Sequence, residues 1–290
     1  MHYVKAKGIL SNTNGMNLYR GCLHGCIYCD SRSLCYQMNH VFEDIEVKEN
    51  ALVLLEKALK ARKNRCMIGT GAMTDPYIPL EEELRLTRGA LELIEQYGFG
   101  IAIQTKSARI LRDLDLLQRI NQQTKAVVQM TLTTIDDDLC RIIEPNVSVT
   151  SERIAALKTF RDAGIPTVVW LSPILPFLND TQENIEGLLQ ACVDSGVRGI
   201  LCFNMGLTLR SGNREYFYRQ LDRHFPGLKE RYIRTFGNRY EINSPHNREL
   251  MELFHEVCEN NGILHDINRI FSYLHAFEEK RHCPQLSFFD

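Results

Sequence analysis

Residues 100–133 read GIAIQTKSARILRDLDLLQRINQQTKAVVQMTLT, and their order decides the fold. GIAIQT (100–105) is a short apolar run, 109–120 carries a helical pattern, and AVVQMTLT (126–133) is a second apolar run. A strand that feeds a helix and then another strand is a crossover unit, and such units join parallel strands. The runs are apolar throughout, as strands are when helices cover both faces of their sheet. Working outward, the unit recurs. MNLY (16–19) reads as a first strand, and a helix over 50–63 puts Ala51, Leu54, Leu55, Ala58 and Leu59 on one face. CMIGT (66–70) is the next strand, followed by a helix over 80–97 that Gly98 closes. On the other side come a helix over 151–163, the strand IPTVVWL (165–171), a helix over 181–195 and the strand VRGILCF (197–203).

Six strand-then-helix steps result, the last less regular, against the eight of a full barrel. The expected fold class is α/β, a partial (β/α)6 TIM-type barrel with a C-terminal helical extension. An open doubly wound sheet shares the pattern. The expected division is 1–206 for the core with its N-terminal cysteine loop, and 207–290 for a basic, aromatic helical extension and tail. Helices are expected at 246–260 and 266–279, and CPQLSFFD at the end reads as the tail.

The 290 residues carry 34 Lys and Arg against 36 Asp and Glu, with 44% apolar and 24% charged side chains. That is a globular balance, which excludes a disordered chain or a small disulfide scaffold. A net charge of −2 excludes a protein that coats nucleic acid by bulk electrostatics, though not a local basic patch. No segment reaches the roughly 20 apolar residues of a membrane span. MHYVKAKGILSNTNG lacks the apolar core of a secretory signal. A cytoplasmic location is therefore expected, where cysteines serve as thiols or metal ligands.

Of ten cysteines, three cluster in Gly21-Cys22-Leu23-His24-Gly25-Cys26-Ile27-Tyr28-Cys29, a C-x3-C-x2-C spacing. Three thiolates on a short glycine-containing loop can hold one corner of an iron–sulfur cubane. A structural zinc site would need four protein ligands, with His24 or Cys35 as the fourth. A ferredoxin-type electron carrier would need a fourth cysteine and no large α/β body. Coincidental, metal-free cysteines are the remaining reading. Scattered cysteines are ordinarily small buried hydrophobes.

The motif C-x3-C-x-aromatic-C after the first strand of a half-open α/β barrel resembles the radical S-adenosylmethionine (SAM) superfamily. YRGCLHGCIYCDSRS, GTGAMTDPYIPLE, TKS (105–107) and IEPNVSVTSERIAALKTFRDAGIP resemble its spore photoproduct lyase-like branch over roughly 16–206. The resemblance implies a [4Fe–4S] cluster on Cys22, Cys26 and Cys29, with SAM chelating the fourth iron. One electron from the cluster would cleave SAM to methionine and a 5′-deoxyadenosyl radical, which abstracts hydrogen from a substrate. It also implies a reductant such as flavodoxin or ferredoxin.

Physical need, with the family pattern at Gly69–Gly71, Asp75 and Glu144, distributes the cofactor contacts. Tyr28, between two ligands, would pack near the adenine and is also a candidate catalytic residue. Gly69, Thr70 and Gly71 end the second strand, where the superfamily binds the methionine amino group. Asp75 sits at the mouth in the family pattern. Lys106 would neutralise the methionine carboxylate, with Arg153 assisting, and Glu144 fits the family's Glu-Pro pair. Thr131 would bond the ribose hydroxyls, and Pro173 would pack on the adenine.

Two departures bear on the chemistry. The lyase returns hydrogen to its product radical through a cysteine, and that position is Ala72 here. The tyrosine after the last cluster cysteine is Asp30. Cys35 or Cys66 is the candidate substitute, Cys35 first. The expected substrate is DNA or a nucleotide-derived lesion. The alternatives are a radical SAM enzyme acting on a small molecule or peptide, and a non-catalytic iron–sulfur or zinc module.

Two further stretches point the same way. Residues 207–240 hold eight Arg or Lys against three acids, interleaved with Tyr216, Phe217, Tyr218, Phe225, Tyr232, Phe236 and Tyr240. Positive charge with aromatic faces suits a DNA contact. Gln285, Leu286, Ser287, Phe288 and Phe289 resemble the peptide by which bacterial repair proteins dock on the DNA sliding clamp. An ordinary amphipathic helix pair and a self-packed tail are the competing readings.

Overall fold

The structure, a computed structural model, describes residues 1–280. The chain opens with β1 (His2–Val4), β2 (Gly15–Met16), β3 (Tyr19–Arg20) and β4 (Glu46–Lys48). Then come α1 (Ala51–Ala61), β5 (Met67–Thr70), α2 (Glu81–Leu84), α3 (Leu86–Gln96) and β6 (Gly100–Thr105). α4 (Leu114–Gln123), β7 (Ala126–Thr131), α5 (Asp137–Ile143), α6 (Thr150–Asp162) and β8 (Thr167–Trp170) follow. α7 (Gln182–Asp194), β9 (Gly199–Leu201), β10 (Gly206–Thr208), α8 (Asn213–His224) and α9 (Leu228–Phe236) lead to β11 (Glu241–Asn243), α10 (Asn247–Asn260) and α11 (Ile267–His275).

Six strands form one sheet in the order β2-β5-β6-β7-β8-β9. Every adjacent pair is parallel, with Ile103 opposite both Thr70 and Val128. This is the expected partial (β/α)6 barrel with a helical C-terminal part. Strand side chains alternate between faces. One face sends Ile68, Ile101, Ile103, Val128, Met130, Val169 and Ile200 into the main core. There they meet Leu55 of α1, Leu91 of α3, Leu117 of α4, Leu157 of α6 and Leu188 of α7.

The other face divides along its length. Towards the amino ends, Met67, Ala102, Val127 and Val168, joined by Leu201 from the end of β9, pack against Ile270 and Leu274 of α11, so α11 plugs the base of the partial barrel. Lys125 holds that plug in place. Its buried ammonium donates to the carbonyls of Tyr273 (2.9 Å) and Ala276 (3.1 Å) at the C-terminal end of α11, and pairs with Glu278 at 2.6 Å. A cation at a helix C-terminus satisfies carbonyls that have no partner within the helix.

Several expected elements shift. MNLY is not one strand: only Gly15–Met16 joins the barrel, while Tyr19–Arg20 pairs antiparallel with β4 in a separate three-stranded sheet, β1-β4-β3. That small sheet pairs residues far apart in sequence, which periodicity does not report. The helix expected over 80–97 is two helices, broken at Arg85 (φ 50°). The Glu81 carboxylate turns back and accepts from the Thr87 amide at 3.0 Å, capping α3. The 109–120 helix is a 3-10 segment, Ala108–Asp113, followed by α4. Only Gly199–Leu201 of VRGILCF is strand, and α5 has no counterpart among the expected elements.

Part of the basic, aromatic stretch is core. Phe217, Tyr232 and Phe236 are buried with Ile27, Tyr28, Leu175 and Leu221. The Phe217 and Tyr232 rings meet edge to face at 5.3 Å, and the Tyr232 hydroxyl donates to the Pro176 carbonyl at 2.7 Å. These rings were expected to stack on bases; instead they join the extension to the cysteine loop. The clamp-like peptide and Cys283 lie outside the described residues.

Candidate functional site

Backbone geometry places the cysteine loop. At Gly21 (φ +88°) a Cβ would meet the Phe42 carbonyl oxygen at 2.4 Å, so only glycine fits. The Cys22 amide donates to that oxygen at 3.3 Å. On the far side, the Asn146 amide donates to the His24 carbonyl (3.1 Å) and the Ile27 amide to the Ile143 carbonyl (3.0 Å). The loop is thus held between the 36–45 segment and the turn after α5.

The loop forms one wall of a cavity of about 620 Å³ at the carboxyl ends of the strands. Parallel α/β folds keep their sites at that end. Cys22, Cys26 and Cys29 all line it, as do Tyr28, Gly71, Asp75, Lys106, Thr131 and Pro173. All three cysteines are free thiols. Burial pushes the Cys22 thiol up to about 12 and raises Cys26 and Cys29 as well.

The sulfur positions test which group fits. Two thiolates on one tetrahedral zinc lie about 3.8 Å apart, given Zn–S bonds of about 2.3 Å. The three sulfurs do not all come within 4.8 Å of one another, nor does any third Cys, His or carboxylate atom among the described residues complete such a set with them. Three thiols on one cavity wall that do not close around a single point suit a polynuclear cluster better than one zinc ion.

Beside the loop, Asp75 ties two strand ends together. Its Oδ1 accepts from the Thr105 hydroxyl and the Tyr77 amide, each at 2.8 Å, and its Oδ2 from the Lys106 amide at 2.8 Å. Gly71 (φ +99°) lets the chain pass Gln104, whose carbonyl oxygen would lie 2.0 Å from a Cβ. His24 is buried on the same wall, with Nδ1 3.5 Å from Asp75 Oδ2 and Nε2 without a protein partner. Burial lowers its pKa, although Asp75 opposes that shift.

Beneath the cavity lies a charged floor. Glu144 is fully buried and accepts from Arg153 Nη2 at 2.5 Å and from the Tyr28 hydroxyl. Lys106 Nζ stands 3.4 Å from its other oxygen and 5.3 Å over the Tyr28 ring. Burial alone would raise the Glu144 carboxyl, but Arg153 and Lys106 outweigh it and hold the group at about 2. Arg153 also donates to the Thr131 carbonyl (3.0 Å) and the Ser148 carbonyl (2.7 Å). Two cations thus share one carboxylate, which leaves positive charge beside the cavity.

Some expected site residues do not reach the cavity wall. Glu144 and Arg153 are sealed below it. Arg153 spends its donors on Glu144 and on backbone, so it acts through Glu144. Gly69 and Thr70 lie within the strand, behind Gly71, and a Cβ at Gly69 would meet nothing within 4 Å. Cys35 is exposed at the rim, its sulfur 3.4 Å from Arg210 Nη1. Cys66 precedes β5, at the opposite end of the sheet from the cavity. Ala72 does line the cavity.

Other wall residues were not expected. Tyr36 donates to Asp30 at 2.8 Å, and Arg210 Nη2 donates to the Tyr240 hydroxyl at 2.6 Å. Trp170 and Phe203 stand with ring centroids 6.2 Å apart, and Phe203 is 46% exposed. The alternation along β8 implies that Trp170 shares the inner face with Val168. No sequence signal brings Arg210 and Tyr240 to Asp30, because β10 and β11 pair only in the fold.

Residues 16–192 match the family model described as the radical SAM superfamily. An uncharacterized protein of Mycobacterium tuberculosis is 31% identical over 242 residues, covering 81% of this chain and 70% of its own. An uncharacterized protein of Methanocaldococcus jannaschii is 32% identical over 169 residues, 58% of this chain and 62% of its own. Among solved structures, a spore photoproduct lyase mutant superposes with a TM-score of 0.66 at 16% identity, covering 91% of this chain and 80% of that one. Another lyase mutant, with bound AdoMet and dinucleoside spore photoproduct, gives 0.58 at 16% identity over 87% and 75%. These likenesses show the fold. The superfamily uses a [4Fe–4S] cluster and SAM, and a cavity with three thiols on one wall accommodates that chemistry. The chain belongs to the radical SAM superfamily and is an enzyme of the spore photoproduct lyase fold.

Proposed function

We propose that this enzyme abstracts hydrogen from DNA or a nucleotide-derived lesion bound across the cavity from its cysteine loop. The observation that carries the reading is the cavity rim, where Trp170, Phe203 and Tyr240 offer aromatic faces and Arg210, 3.5 Å from Asp30 at the end of the loop, a cation. Aromatic faces stack bases and an arginine pairs phosphate. The lyase fold supports the same substrate class.

Cys22, Cys26 and Cys29 would hold the cluster, which with bound SAM would supply the radical chemistry. This chain's own residues bind and orient. Lys106, sharing Glu144 with Arg153, presents positive charge to the methionine carboxylate. The Gly71 backbone approaches the amino group, Thr131 faces the ribose, and Tyr28 and Pro173 flank the adenine. Asp75 keeps the two strand ends in register. Ala72 supplies no thiol to the cavity, so hydrogen return by the lyase route is absent from this reading. Cys35 at the rim and Tyr36, held by Asp30, are the nearest alternatives. A cytoplasmic setting with flavodoxin or ferredoxin as reductant completes the reading.

The test is anaerobic reconstitution. The expected result is about four irons per chain and dithionite-dependent release of 5′-deoxyadenosine, which ultraviolet-damaged oligonucleotide stimulates. No release from a fully loaded sample would remove the catalytic reading. Release that ignores damaged DNA, with no DNA binding, would favour a small molecule or peptide. Clamp binding with and without residues 285–290 tests the tail separately.

A further inference from the structure

We propose a second metal site, distinct from the cavity, in which His2, His40 and Asp44 bind a zinc-class divalent ion on the N-terminal sheet. The three side chains each offer a ligand atom, and these atoms all lie within 4.8 Å of one another. They come from separate pieces of chain. His2 is on β1, while His40 and Asp44 lie in the segment before β4.

The details favour ligation over simple packing. His40 Nδ1 lies 3.0 Å from the Val41 carbonyl, which can only accept, so Nδ1 carries the proton. That leaves the Nε2 lone pair free, and Nε2 is buried without a hydrogen-bond partner. A metal-binding histidine is ordinarily fixed in this way, with its second nitrogen donating to a carbonyl. His2 Nδ1 stands 2.9 Å from Asp44 Oδ2. Two ligands at about 2.1 Å from one tetrahedral ion are about 3.4 Å apart, so this pair needs to open by only about half an ångström. Glu46 Oε2 lies 3.7 Å from His40 Nε2 but stays outside the cluster that the other three side chains form. Asp44 Oδ1 meanwhile pairs with the Met1 ammonium at 2.9 Å, so one oxygen is already neutralised and the other faces the imidazole.

Two imidazoles with a carboxylate select a borderline transition ion such as Zn²⁺ over Mg²⁺ or Ca²⁺, which prefer oxygen-only shells. The site has a structural consequence. It joins β1 to the 36–45 segment, and that segment receives the Cys22 amide through Phe42 and the Arg32 guanidinium through Glu43 at 2.5 Å. An ion there braces the outer support of the cysteine loop.

The experiment uses protein with its iron–sulfur cluster in place, so that the cavity thiols are occupied. Zn²⁺ is titrated calorimetrically, and the zinc K-edge spectrum is recorded. The expected result is one equivalent bound with a nitrogen and oxygen shell showing imidazole scattering. His40→Gln and Asp44→Asn should each weaken binding by about tenfold or more. Zinc should raise the melting temperature of the parent but not of the variants. No stoichiometric binding, a sulfur shell, or full affinity in both variants would overturn the site.

Discussion

The two ends of the inner sheet face behave as different materials. At the base, Val127 and Val168 meet Ile270 and Leu274 in a dry apolar contact. Two to four residues further along the same strands, Thr131 and Trp170 line the cavity. Beneath it, each buried charge leans on another: Glu144 serves Arg153, Lys106 and Tyr28 together. The base therefore gains stability from burial that any well-shaped apolar side chain supplies. The floor of the mouth holds desolvated charges that are costly when unpaired and useful when a charged ligand arrives.

The first way to break this comparison is Cys26→Ala. It should remove cluster binding and reduce 5′-deoxyadenosine release to background, while the metal-free chain unfolds within about 1 kcal/mol of the parent. Iron content and urea titration read the two halves. A large stability loss would mean that the mouth loop is structural in its own right.

Glu144→Gln tests the floor. It strands Arg153 without its counter-charge and should cost about 3–5 kcal/mol. The pH dependence has a definite sign. The Glu144 carboxyl is depressed to about 2 in the fold, so its stabilisation is complete above its ordinary value of 4.5 and fades as pH falls toward about 2. Acid titration of the metal-free protein should show this loss, and the variant should lack it. The same acid slope in both proteins would place the effect elsewhere.

Leu274→Ala tests the base. Removing a buried leucine from the α11 plug should cost about 2–4 kcal/mol, with SAM affinity within about twofold of the parent. A SAM affinity that falls in step with stability would show the two ends to be coupled. Arg210→Ala is the smallest structural change: the half-buried side chain gives up its bonds to Tyr240 and Cys35 and should cost about 1 kcal/mol. Its effect should appear in oligonucleotide binding, with a weaker salt dependence. Unchanged binding would move the substrate contact away from β10.

Much of the fold was legible because strand and helix periodicity is local. GIAIQT and AVVQMTLT are strands at their expected places, and the helices over 151–163 and 181–195 match α6 and α7 within a residue. The misreadings share a cause in contacts between distant residues. MNLY divides because Tyr19 pairs with Val47 across the N-terminal sheet. The 80–97 helix breaks because Glu81 caps the helix that follows it. The aromatics of 207–240 have the composition of a nucleic-acid surface, yet Phe217, Tyr232 and Phe236 are interior, since composition does not report which side of a helix faces a neighbour.

The site divides along the same line. By itself the sequence determined the cysteine spacing, the strand ends that carry Gly71, Lys106 and Thr131, and the loss of the thiol at Ala72, because each is a matter of residue type at a fixed place on a strand or loop. Tertiary structure alone decided that Arg153 sits behind Glu144 and not on the cavity, and that Arg210 and Tyr240 close the rim opposite Asp30. It also brought His40 beside His2. The physical reason is that burial and charge pairing depend on which side chains converge through space, and convergence across dozens of residues leaves no periodic trace in the chain.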